Sequence, residues 1–153
     1  MPNLLQLKTI LRNGNDTVKA GFFNSGGAAV LIKCISDRIS HVMMSDLDVA
    51  VLYEVLSCCK TLMNTKTGME GLLRNKASKN IVEVFARCLL FEWKPVALQV
   101  LEILAVCCFY SAASCYQVLE GLRTYSKSLR EPNYAFLSRA LVEQDVEIKT
   151  AGN

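Results

Sequence analysis

The sequence predicts an all-α protein built of about three stacked helical repeats, and three observations carry that prediction. Apolar residues recur at three- and four-residue spacing, helix breakers are few, and separate stretches of the chain echo one another. Eight glycines and three prolines in 153 residues fall mostly between apolar runs, where they punctuate helices. Hydrophobic residues make up 52% and charged residues 20%, a balance that folds around one core, so residues 1–153 read as a single domain.

The elements follow in order. Gly26-Gly27 marks a helix-breaking turn, and His41 to Asp46 reads as a loop inserted within the first unit. Val49, Leu52, Val55, Leu56, Cys59, Leu62 and Met63 form one stripe on a helix. Ser45 is placed to cap it, Asp46 and Asp48 suit its positive end, and Asn64 is placed to end it. A short segment over Met69 to Leu73 follows, with Gly68 near its start. Ser78 then reads as the cap of a helix carrying Ile81, Val84, Phe85, Cys88 and Leu89.

Pro95 fits the first turn of the next helix, where its missing amide costs nothing. That helix, through Val96, Val100, Leu101, Ile103, Leu104 and Cys107, is apolar on nearly every side and reads as the buried centre of the stack. Helices are also predicted at about Ala113 to Ser126 and Asn133 to Glu143. Asp145 to Ala151 starts one more pattern, which Gly152-Asn153 stops. A helix that short is marginal unless packed on neighbours, so the chain reads as lacking its next repeat or fraying there.

The echoes give the repeat. Lys8 to Asn13 resembles Lys60 to Asn64, Gly21-Phe22-Phe23-Asn24 resembles Gly71-Leu72-Leu73-Arg74, and Val55-Leu56 lines up with Val100-Leu101. Shifts of this size fall in the range of armadillo and HEAT units, each with one short, one medium and one long helix.

Several function classes are disfavoured. The net charge of +3 is spread thinly, and even the most basic stretch, Lys66 to Lys79, is sparser than a nucleic-acid surface needs. No apolar run reaches the roughly 18 residues of a membrane span. Seven cysteines, Cys34, Cys58, Cys59, Cys88, Cys107, Cys108 and Cys115, are an odd number lying mostly in apolar helical runs. They read as small buried hydrophobes of a reducing, cytoplasmic compartment. With one histidine, His41, and no Cys-x-x-Cys, no metal site or other cofactor is expected. Gly26-Gly27 lacks the residues of a phosphate loop, and no nucleophile has a recognisable base, so an enzyme is not expected.

The run Cys59-Lys60-Thr61-Leu62-Met63-Asn64-Thr65-Lys66-Thr67-Gly68-Met69, followed by Val100 to Cys108, resembles the N-terminal armadillo domain of diaphanous-related formins. Leu11 to Asn15, Gly21-Phe22-Phe23 and Val146 to Gly152 fit the same domain, so the resemblance spans nearly the whole chain. It implies an armadillo-like right-handed helical solenoid of about three repeats. It also implies a groove that binds the formin's own C-terminal autoregulatory helix, silencing actin assembly until a Rho-family GTPase releases that helix. By this resemblance Asn64, Met69, Glu102, Val106, Phe109 and Tyr110 match the groove, and Asn13 and Asn15 match the loop that touches the GTPase.

The resemblance further implies a cytoplasmic, cytoskeleton-associated protein, with dimerisation of the full-length formin. The alternative is a structural scaffold for dimerisation or localisation with no groove ligand. Three departures from the family pattern are expected, the first being that no separate GTPase-binding segment precedes the repeats; apart from these, no actin-assembling region is expected to follow. Glu102 stands where some members carry lysine, and Val106 replaces a smaller residue, a change of a kind that costs ~1–3 kcal/mol in a packed contact.

Overall fold

The computed structural model describes residues 2–74, 81–90, 92–139 and 142. These residues are helical and, among them, form no strand. The helices are α1 (Pro2–Asn13), α2 (Asp16–Asn24), α3 (Gly27–Ile39), α4 (Asp46–Met63), α5 (Lys66–Arg74), α6 (Ile81–Arg87), α7 (Lys94–Tyr110) and α8 (Ala112–Ser128). A 3-10 turn, Cys88–Leu90, follows α6.

Local chemistry sets most of these boundaries. Ser45 and Asp48 close a capping box: the Asp48 amide donates to Ser45 Oγ at 3.2 Å, and the Ser45 amide donates to Asp48 Oδ2 at 3.1 Å. Asn64 caps the other end of α4, and Pro95 lies in the first turn of α7. Gly26 takes φ 80°, a left-handed conformation that glycine adopts without strain, and there α2 turns into α3. The loop expected at His41 to Asp46 is present at residues 41–45.

The helices repeat in space as they do in sequence. The longer helices α1, α4 and α7 lie side by side, α2 packs on α5, and α3 packs on α6. α8 covers α6 and α7. This is an armadillo-like stack of short, medium and long helices. α4 is its most deeply buried long helix, because α1, α3, α5 and α7 all pack against it. Leu52, Val55, Leu56, Cys58, Cys59 and Leu62 are fully enclosed there.

Three expectations are corrected or left aside. α7, read as the buried centre, is buried only along Val96, Ala97, Gln99, Val100, Ile103, Leu104 and Cys107. Its Leu98, Val106 and Phe109 are exposed, because α4 and α8 cover two of its flanks and no described residue covers the third. The helix expected at Asn133 begins at residue 135, since Tyr134 takes a left-handed φ of 66° while its amide donates to Ser126 Oγ at 2.9 Å. Ser78 and the pattern from Asp145 to Ala151 lie outside the described residues.

Candidate functional site: a groove between α4, α5 and α7

Two contacts fix how α7 lies on α4. The buried Gln99 amide meets Ser57 Oγ at 2.8 Å and, with its oxygen turned to Ser57, donates to the Tyr53 carbonyl at 3.2 Å. One turn further on, Lys60 pairs with Glu102. Both contacts join residues 42 apart, so the two helices run in the same direction and Asn64 comes opposite Val106. The groove is the junction this register creates.

Its floor and walls can be named. Asn64 is exposed on the corner between α4 and α5. That corner is tied by Thr65, whose amide donates to the Leu62 carbonyl at 3.2 Å and whose hydroxyl oxygen accepts from the Gly68 amide at 3.2 Å. Gly68 lies so close that a Cβ would sit 1.8 Å from the Leu62 oxygen. On the opposite wall Val106 is 43% exposed and Phe109 92% exposed. Tyr110 closes the far end, its hydroxyl donating to Glu70 Oε1 at 3.3 Å, while Glu70 also pairs with Arg74 at 3.7 Å.

The result is an apolar strip rimmed by both signs of charge: Lys60 and Arg74 against Glu102 and Glu70. Such a strip can hold one face of an amphipathic helix, with the rim setting its direction. It offers apolar contact, hydrogen bonding and charge pairing at the rim.

Five of the six residues matched to the groove share this surface: Asn64, Glu102, Val106, Phe109 and Tyr110. Met69 does not. Its side chain is 1% exposed, packed in the core with Leu72 and Leu73, because α5 turns that face inward. Met69 supports the groove from beneath. Lys60, Glu70 and Arg74 complete the rim, through contacts to a helix distant in sequence or along α5.

Asn13 and Asn15 lie apart from the groove, at the corner between α1 and α2, and both are exposed. Asn15 caps α2, its Oδ1 accepting from the Val18 amide at 3.1 Å. Asn13 is the last residue of α1. The intervening Gly14 has no room for a side chain, since a Cβ would sit 2.7 Å from the Ile10 oxygen.

Burial holds the thiols of Cys88 and Cys107 up to about 12 and, with Glu54 adding to it, that of Cys58 up to about 11. Cys59 is raised further, again first by burial. Cys34, Cys108 and Cys115, expected to be buried, are only partly so. His41 lies on the exposed loop, its Nδ1 3.6 Å from Asp48 Oδ2. Among the described residues, no three His, Cys, Asp or Glu side chains converge as metal ligands would, and no helix is long and apolar enough to cross a membrane. A second cleft of about 340 Å³ opens between the first halves of α4 and α7, where Tyr53 and Trp93 stand beside Asp46 and Glu54.

A stack of helices presenting an apolar strip inside a charged rim defines a helical-repeat domain of the protein-binding class. The chain belongs to the Diaphanous GTPase-binding Domain family, whose model matches residues 3–109. It is also 28% identical to Inverted formin-2 of Xenopus tropicalis over 135 residues, 88% of this chain. The chain spans 9% of that relative's length.

Proposed function

We propose that this domain is the regulatory half of a formin and that its groove binds the formin's own C-terminal autoregulatory helix. Phe109 and Val106 supply the apolar anchors, Tyr110 closes one end, and Asn64, Glu102 and the neighbouring Lys60 set direction at the rim. A Rho-family GTPase, touching the corner at Asn13 and Asn15, favours the helix-free state and so releases actin assembly. The shift requires only that the GTPase bind that state more tightly. The protein so regulated is cytoplasmic and cytoskeleton-associated, and it works as a dimer of the full-length chain.

One observation carries the reading. Phe109 is almost wholly exposed beside Val106, at the end of a helix whose other faces are buried. An aromatic left uncovered in line with charged rim residues suits a partner that buries it.

The test is a titration of a labelled amphipathic peptide from a formin C-terminus into the folded domain. Saturable binding is expected, and Val106→Asp should weaken it at least tenfold, about 1.4 kcal/mol. Absence of saturable binding, or affinity unchanged in the folded variant, would overturn the groove and leave the structural-scaffold reading.

A further inference from the structure

The cleft between the first halves of α4 and α7 has the makings of a site that the groove does not use. On α4, Asp46, Val49, Ala50 and Tyr53 follow one another at three- and four-residue spacing and so share one face, with Glu54 beside them. Trp93, Pro95 and Val96, at the start of α7, form the facing wall. The space between them is about 340 Å³, at the small end of the range for ligand sites.

Both aromatic residues are held from behind. The Tyr53 carbonyl accepts from the Gln99 amide at 3.2 Å. The Trp93 carbonyl accepts from the Val96 amide at 3.0 Å and the Ala97 amide at 3.2 Å. Tyr53 is 40% exposed and Trp93 38% exposed, so part of each ring stays open to a ligand. The two acids differ. Glu54 is already answered by Lys8, whose Nζ lies 3.0 Å from its Oε2. The Asp46 carboxylate makes no ion pair or hydrogen bond with any described residue. The capping box of α4 closes through Ser45 and Asp48 without it.

We propose that this cleft takes one arginine side chain of a partner protein, its guanidinium stacked on Trp93 and Tyr53 and paired with Asp46. Aromatic faces attract cations, and tryptophan does so most strongly. Arginine suits the cleft better than lysine does. Its planar guanidinium is weakly hydrated, stacks on rings and offers a fork of donors that matches a carboxylate, whereas an ammonium is a compact, strongly hydrated charge. Val49, Ala50 and Val96 give the methylene stem an apolar floor. An anionic group would be repelled by Asp46, and a purely apolar one would gain nothing from it. Tyr53 lies about 16 Å before Asn64 along α4, at ~1.5 Å per residue. The inference therefore does not require the groove to have a ligand.

Trp93 is the only tryptophan of the chain, so its fluorescence reads this cleft directly. The folded domain is titrated with the blocked tripeptide acetyl-Gly-Arg-Gly-amide at constant ionic strength, beside its citrulline and lysine counterparts. A saturable change with the arginine peptide is expected, with half-saturation at millimolar concentration or below. The citrulline peptide, similar in shape but uncharged, should bind at least about fivefold more weakly, and the lysine peptide about threefold. Asp46→Asn should weaken arginine binding at least about fivefold. Tyr53→Leu, which keeps apolar bulk and removes the aromatic face, should weaken it about threefold. Val106→Asp, in the groove, should leave it unchanged. Absence of a saturable change, a citrulline or lysine peptide that binds as tightly, or full affinity in either variant with helical circular dichroism intact would overturn the inference.

Discussion

Lys60 on α4 and Glu102 on α7 form an ion pair across the groove, with each side chain about half exposed. This part of the rim thereby carries its own charge compensation. Exposed pairs of this kind contribute ~1 kcal/mol at most, so the value of Glu102 lies in selecting a partner. Glu102→Lys should reduce stability by less than about 1 kcal/mol in urea unfolding. In a peptide titration it should shift preference from helices with a basic residue at the facing position to those with an acidic one. An unchanged preference would remove Glu102 from the rim.

Phe109 and Met69 separate surface from core. Phe109→Ala should change stability by no more than about 0.5 kcal/mol, because its ring is already in water. The same change should weaken helix binding about tenfold or more. Met69→Ala, at an enclosed position, should cost about 2–5 kcal/mol and act on binding only through folding. Paired urea curves and titrations read both effects.

Gly68 is fixed by space rather than by backbone angle. A methyl there would sit 1.8 Å from the Leu62 carbonyl oxygen, which belongs to the rigid end of α4. Gly68→Ala should therefore cost at least about 2 kcal/mol and disturb the corner that presents Asn64. A variant as stable as the parent would show that the corner opens easily.

The start of α4 carries a pH dependence. Hydrogen bonds from Ser45 hold the Asp48 carboxyl below its usual value, and the nearby His41 adds to this more weakly. A carboxylate whose folded pKa is depressed contributes stability above its unfolded value, near 4, and that contribution is lost as pH falls through the lower folded value. Thermal midpoints between pH 7 and pH 3 should fall more steeply for the parent than for Ser45→Ala. At pH 7 the variant should be less stable by about 1 kcal/mol, the usual cost of a lost cap.

Local features were legible in the sequence because their chemistry is local. Ser45 and Asp48 lie three residues apart, Asn64 follows the last turn of its helix, and Pro95 suits a first turn wherever it occurs. The burial of Met69 was also within reach, since Met69, Leu72 and Leu73 share one face of α5 at spacings of three and four. The cover on α7 was different. A helix apolar all round does not reveal which flank lacks a neighbour, and only the packing of α4 and α8 shows that Phe109 is left outside. The Lys60–Glu102 and Glu70–Tyr110 contacts depend on a register between helices about 40 residues apart, which helical periodicity does not encode.

Gly71 on α5 faces the ring of Phe23 on α2, where a Cβ would come within 2.4 Å. α2 begins just beyond the Asn13–Asn15 corner and α5 just beyond Asn64, so this contact sets the pitch between two neighbouring corners. Glycine makes that pitch as short as the Phe23 ring allows. A partner that touches both corners at once measures a length as well as a pattern of side chains. Gly71, packed against Phe23, fixes that length.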